Sequence, residues 1–299
     1  MKLRISITAI VCLMAVNTVV AQMGLTDDKV VKRYQQHEFS IALAAGMSGI
    51  NSKLESGVHR SQFGGNLGFE YSCNFNDRLA LTTGVGFSLY SGNISIDSLS
   101  GEYTPVGAFY NEDELFVLKY YLDGGYREKY NAILLNIPLM LKHSIPLGKN
   151  DAKYFIAWGL KIGIPVTATS SITPGMYTTK AHYDYENCTY SDLIELGLRS
   201  NYVDNSVHSS NIRLAIAPMF AFETGVRIPV GYRRGISVGM YFDYSLSNVQ
   251  KSNSMSSIEY QLINPGILIH NSVMNTAAVK KMSLLSVGLK VGINLNRGL

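Results

Sequence analysis

The segment Leu285-Ser286-Val287-Gly288-Leu289-Lys290-Val291-Gly292-Ile293-Asn294-Leu295 decides the fold. Its bulky apolar residues fall at every second position, with Ser286, Gly288, Lys290, Gly292 and Asn294 between them. Successive side chains of a strand point to opposite faces, so this pattern is one apolar face and one small or polar face. On a helix the same apolar residues would spread around the whole wheel.

The pattern recurs toward the N-terminus. Ile236, Val238, Met240, Phe242, Tyr244 and Leu246 oppose Ser237, Gly239, Tyr241, Asp243 and Ser245. Leu214, Ile216, Phe220, Phe222 and Val226 oppose Arg213, Ala215, Ala217, Glu223, Gly225 and Arg227 in a strand expected over 212–228. Tyr154, Ile156, Trp158, Leu160, Ile162 and Ile164 face away from Ala157, Gly159, Lys161 and Gly163, and Ile133, Leu135, Ile137, Leu139 and Leu141 from Asn136, Pro138 and Lys142. Three more strands set Leu79, Leu81, Val85, Phe87 and Leu89 against Ala80, Gly84, Gly86 and Ser88; Phe63, Leu67, Phe69 and Tyr71 against Gly64, Asn66, Gly68 and Glu70; and Phe39, Ile41 and Leu43 against Ser40, Ala42 and Ala44.

Eight such segments make an up-and-down antiparallel β-barrel, and the chemistry of the faces says which way it is turned. A soluble ligand-carrying barrel shows the same period with the apolar face inward. Here the polar face is mostly Gly, Ala and Ser, a poor solvated surface but a good lining for a narrow concave interior. The bulky face suits lipid. The connections 47–60, 74–77, 91–130, 146–152, 169–210, 230–234 and 247–281 alternate long and short, as extracellular loops and periplasmic turns must. The short ones carry turn residues: Asn74-Phe75-Asn76-Asp77, Pro146-Leu147-Gly148-Lys149-Asn150-Asp151 and Gly231-Tyr232-Arg233-Arg234-Gly235. Leu115 to Leu122 before Asp123-Gly124-Gly125, and Ile258 to Val273 around Asn264-Pro265-Gly266, read as two hairpins above the membrane. A lone ninth spanning strand would break the alternation, and the arms of the second hairpin are short of the roughly nine to eleven residues that span, which makes eight strands the reading and ten the alternative.

Composition agrees. Of 299 residues, 16% are charged, 46% are apolar and 27 are glycine, with a formal charge of +4 and a mean hydropathy of +0.08. Low charge excludes a disordered chain, and the absence of a Lys/Arg cluster excludes a nucleic-acid partner. Lys2 and Arg4, the apolar run Ile5 to Val16, and Val19-Val20-Ala21 have the layout of a secretory signal peptide with cleavage expected after Ala21. The domains are then a leader over 1–21, a periplasmic lead over 22–36 and the barrel over 37–299. Cys12 leaves with the leader; Cys73 and Cys188 are too few and too scattered for a disulfide framework or a thiolate metal site.

The strand motifs Leu134-Leu135-Asn136-Ile137-Pro138-Leu139-Met140-Leu141-Lys142, Trp158-Gly159-Leu160-Lys161-Ile162-Gly163-Ile164-Pro165 and Val287-Gly288-Leu289-Lys290-Val291-Gly292-Ile293 resemble the outer-membrane β-barrel family of the PorT type. The likeness covers most of 37–296 and implies a small barrel similar in shape to the OmpA transmembrane domain and OmpX. It specifies no chemistry.

Function must then sit in the lumen or on the rim. Glu70, Glu223 and Asp243 with Lys161, Arg213, Arg227 and Lys290 are expected to pair across a filled interior rather than line an ion path. On the rim are His59, His182, His208 and His270, and His208-Ser209-Ser210-Asn211 resembles the His-x-Ser-Asn arrangement of lipid A deacylase barrels. His208 and Ser210 share a face, but the acid that a relay needs is missing: Glu223 lies on the order of 40 Å down the same strand. No catalytic, cofactor-binding or metal residue is therefore assigned, and no cofactor is expected. Phe39, Tyr71, Phe75, Tyr154, Phe155 and Trp158 read as a periplasmic aromatic girdle, and Tyr90, Tyr130, Tyr241 and Tyr244 as the outer one. Tyr177, Tyr183, Tyr185, Tyr190 and Tyr202 are left for the loops, where tyrosine with Ser and Asn suits a protein or glycan partner. The expected function is that of a monomeric, non-enzymatic protein of the bacterial outer membrane whose loops carry a structural or surface-interaction role. An accessory part of an envelope secretion or transport system is the alternative, and a lipid A-modifying enzyme the second.

Overall fold

The computed structural model describes residues 37–54, 56–105, 116–147, 152–230, 234–251, 254–261, 264, 266–296. The leader, the periplasmic lead, parts of two short turns and the tip of the second hairpin lie outside them. The strands are β1 His37–Leu54, β2 Val58–Asn74, β3 Leu79–Ile96, β4 Leu99–Tyr103, β5 Val117–Leu122, β6 Tyr126–Leu147, β7 Ala152–Thr173, β8 Gly175–Tyr183, β9 Cys188–Tyr190, β10 Tyr202–Asp204, β11 His208–Asn211, β12 Ala217–Pro229, β13 Arg234–Ser245, β14 Ile258–Tyr260, β15 Leu268–His270 and β16 Val279–Asn296.

Eight of them close an antiparallel ring in the order β1-β2-β3-β6-β7-β12-β13-β16, and β16 pairs back onto β1. The closing register runs from Glu38 opposite Asn296 to Leu54 opposite Val279 and sets Gly46 against Gly288. A Cβ on Gly46 would stand 2.1 Å from the Val287 carbonyl oxygen, and one on Gly288 2.2 Å from that of Ala45. The two inward glycines let the strands coil closely enough to shut a narrow barrel. Ile41, Leu43, Val85, Phe87, Leu160, Ile162, Leu289 and Ile293 are exposed outward, as a lipid face requires.

The wall is taller than the membrane. β6 and β7 have 22 residues each, about 70 Å of strand, and at the usual tilt they rise roughly twice the ~25 Å apolar band of an outer-membrane barrel. Polarity reverses along them. In the half near the short turns, Trp158, Leu160 and Ile162 point out while Ala157 and Lys161 are buried. The register shift between Ile133 and Leu134 places Val166 as an extra residue of β7, a bulge that swaps its faces. Beyond it Thr167, Thr169 and Ser171 are exposed and Ile172 is buried. On β6 the outward row changes from Leu139, Ile137 and Ile133 to Asn131, Lys129 and Arg127, and the inward row reaches Leu134, Tyr130 and Tyr126. The outer half is thus built like a soluble protein. Its core gathers Ile50, Tyr90, Ile94, Leu118, Tyr130, Ile172, Met282 and Leu284.

Over this core the loops fold into a cap. β10, β8, β5 and β4 form a second sheet, with β9 on β8. The 3-10 turn Val273–Asn275 closes the mouth, with all three residues buried. Glu128 holds it: its Oε2 accepts from the Val273 N–H at 3.0 Å and the Tyr126 hydroxyl at 2.8 Å, and its Oε1 from the Ser272 hydroxyl.

Several expectations are corrected. The first loop, placed at 47–60, is only the connection 55–57, because Gly49 to Leu54 continue the wall. Val117–Leu122 forms no hairpin with the strand after it; it pairs with β4 and β8. Ile258–Tyr260 does pair with Leu268–His270. Tyr90, Tyr130 and Tyr241 are not outer girdle residues but buried inside, whereas Tyr244 does face out. Phe155 is likewise inside, under Lys142 Nζ at 4.8 Å from its ring centroid. Leu214 is buried instead of facing lipid, because the chain between β11 and β12 leaves the wall and bridges to Gln250.

Candidate functional site

The lumen of the membrane half is filled. Lys290 Nζ donates to Glu70 Oε1 at 2.5 Å and to both oxygens of Glu223 at 2.7 Å. Lys161 donates to Asp243 at 2.7 Å with both side chains buried, and Arg227 pairs with Glu38. With Lys142 over Phe155, the acids Glu38, Glu70, Glu223 and Asp243 face the bases Lys142, Lys161, Arg227 and Lys290 in equal number. The expected pairing holds except that Arg213 is exposed outside the lumen, while Glu38 and Lys142 enter it. The voids beside Lys290 measure about 30 and 20 Å³, room for roughly a water each.

The rim is where groups with chemistry converge. Asp204 ends β10, and its Oδ1 accepts from the Ser206 N–H at 2.8 Å and the Ser206 hydroxyl at 2.5 Å, an Asx turn that reverses the chain into β11. His208 opens that strand, so its Nε2 lies 3.0 Å from Asp204 Oδ2 and 2.8 Å from Ser206 Oγ. The His270 ring, from β15, stacks obliquely on His208 with centroids 4.3 Å apart, and Tyr177 meets it edge-on at 5.6 Å. Burial, and then the neighbouring His208, hold the His270 imidazole down to about 4. Burial alone would raise the Asp204 carboxyl, but the bonds from Ser206 and His208 outweigh it and leave it below the ordinary carboxylate range.

The acid judged missing from the sequence is therefore present, four residues upstream of His208 rather than downstream. Glu223 is indeed remote, bound to Lys290 in the lumen. Yet the arrangement is no Ser-His-Asp relay. Asp204 and Ser206 meet the same imidazole nitrogen, and the Ser206 proton goes to Asp204 instead of to the histidine, so the hydroxyl is not activated. Ser210 Oγ accepts from the Ser272 N–H at 3.1 Å and Asn211 O from Asn275 Nδ2 at 2.7 Å; both fasten β11 to the closing turn. The other two rim histidines lie apart: His59 bonds Tyr130 at 2.7 Å, and His182 bonds Thr189 at 2.9 Å and reaches Asp184 at 3.3 Å. Asp204 and Ser206 lie off the strand that carries Glu223; Asp204-Asn205-Ser206 immediately before Val207-His208 is the turn signal that places an acid beside the ring.

Comparison with known proteins adds the family. Residues 21–199 match the family described as outer membrane protein beta-barrel domain. No curated protein matches by sequence. Among solved structures, Neisserial surface protein A is similar over 87% of this chain and 97% of its own, at 11% identity and a TM-score of 0.33. Ail of Yersinia pestis is similar over 87% and 99%, at 8% identity and 0.30, and OprG of Pseudomonas aeruginosa over 88% and 98%, at 11% identity and 0.33.

Proposed function

The chain belongs to the outer membrane protein β-barrel domain family, and from that premise we propose that it is a non-enzymatic protein whose extracellular cap binds a partner protein. It resides in the bacterial outer membrane. The observation that carries the reading is the cap segment 184–207, which leaves Tyr185 80%, Ile194 67% and Val207 70% exposed, with Tyr190, Leu193, Leu196, Tyr202 and Val203 also exposed. These side chains belong to the cap rather than the lipid band, and apolar surface concentrated in one polar-rimmed segment marks an interaction site. The same segment carries Asp184, Glu186, Asp192, Glu195 and Asp204 against Arg199. Such a surface repels sulfated or phosphorylated glycans and favours a protein with a basic rim and apolar centre.

A cap that docks a protein suits an accessory component of an envelope secretion or transport system. We read the protein as a monomer, since the closed ring offers no strand edge to a second copy, with 1–21 removed on export, 22–36 as a lead and 37–299 as the barrel domain. Replacing Ile194 and Val207 by Asp tests the reading. The variant should keep the heat-modifiable migration of a folded barrel and lose cross-linking to its partner in intact envelopes; an unchanged cross-linking pattern would overturn it.

A further inference from the structure

Asp204, His208 and His270 come from two different loops, and their ligand atoms all lie within 4.8 Å of one another. We propose that these three residues bind a divalent transition ion of the zinc class, which ties the 174–216 loop to the 247–278 loop at the barrel rim. Two imidazoles and one carboxylate are a mixed nitrogen and oxygen set that suits Zn²⁺ better than the hard ions, which prefer all-oxygen shells. Bonds of the usual length put tetrahedral ligands about 3.3 Å apart, so a small side-chain closure completes the site.

His270 is buried under Tyr177 and against His208, which fixes its ring beside the other two side chains. Asp204 supplies the negative charge that an ion would neutralise. His208 is one-third exposed, which leaves an open side for water as a fourth ligand. Binding through Nε2 takes that nitrogen from Ser206 Oγ, while Ser206 keeps its two bonds to Asp204. Among the described residues the rest of the rim lacks this convergence: His182 has one acid on an exposed strand end, and His59 has a tyrosine. Nothing in the proposal depends on a partner protein, so the two readings fail separately.

The test is titration of the full, tag-free chain, folded in detergent, with Zn²⁺ alone, and with Co²⁺ for its visible spectrum. One ion per chain is expected. His208→Ala and His270→Ala should each weaken binding by at least about tenfold and abolish the cobalt band; His182→Ala should change neither. Asp204→Asn, which keeps the shape of the turn, provides the same comparison if an alanine variant loses heat-modifiable migration. Absence of saturable binding, binding that survives loss of either histidine, or equal loss in His182→Ala would overturn the proposal.

Discussion

The two halves of one wall strand differ more than the wall differs from strand to strand. On β7, Leu160 and Ile162 face lipid and Lys161 is buried; nine residues beyond Leu160, Thr169 faces water, and Ile172 lies in a core with Tyr130. The backbone period is 2 on either side of the bulge at Val166. What changes is the solvent on each side, and with it the residue that each face can hold. The membrane half solves its interior with small residues and paired charges, and the outer half with aromatic and aliphatic packing.

The comparison can be broken by exchanging the rules of the halves. The largest effect is expected in the membrane half from Lys290→Met, which leaves Glu70 and Glu223 buried without their cation. Destabilisation of about 3–5 kcal/mol should appear as a lower urea midpoint of the folded band, and adding Glu70→Gln and Glu223→Gln should restore much of it. Next is a lysine placed on the outside of β7: Leu160→Lys should cost about 2–4 kcal/mol, and Thr167→Lys close to none, in the same unfolding assay. Equal costs would mean that the lipid boundary does not fall at Val166. Glu128→Ala should cost about 1.5–3 kcal/mol by removing the acceptor of Ser272 and Val273. Because Glu128 fastens the closing turn above the membrane half, cleavage by added protease should rise in the cap while the barrel band keeps its heat-modifiable shift. Smallest is Tyr130→Phe, which removes the acceptor of the Ile50 N–H at 2.9 Å and the partner of His59; about 1 kcal/mol is expected, read in the outer half of the wall and not in the membrane half.

The membrane half was legible in the sequence almost residue by residue, since lipid outside and a crowded lumen inside leave few choices at each position. The outer half was legible in its period but not in its meaning. Tyr90 shares the parity of Gly86 and Ser88 and Tyr241 that of Gly239 and Asp243, so alternation points both inward, although tyrosine is equally at home at a membrane interface. Gly49 to Leu54 carries Asn51 and Lys53 where an apolar outer row was expected, which is why a wall extension standing in water read as a loop. The pairing of β5 with β8, whose residues Leu118 and Ala181 face each other across more than sixty positions, leaves no local trace. Asp204 was hidden for a related reason: its partner His208 is reached through a turn, and His270 arrives from another loop altogether.

The seam where Glu38 lies opposite Asn296 joins the two ends of the barrel sequence. The first strand of the ring is the partner of the last, so a chain delivered from its N-terminus holds an open edge on β1 until nearly every residue has arrived. Without β16 the wall would be an open ribbon with two unpaired margins, and that one strand removes both. A chain stopped before residue 279 keeps Glu70 and Glu223 but loses Lys290, the cation that holds them, together with the strand that closes the ring.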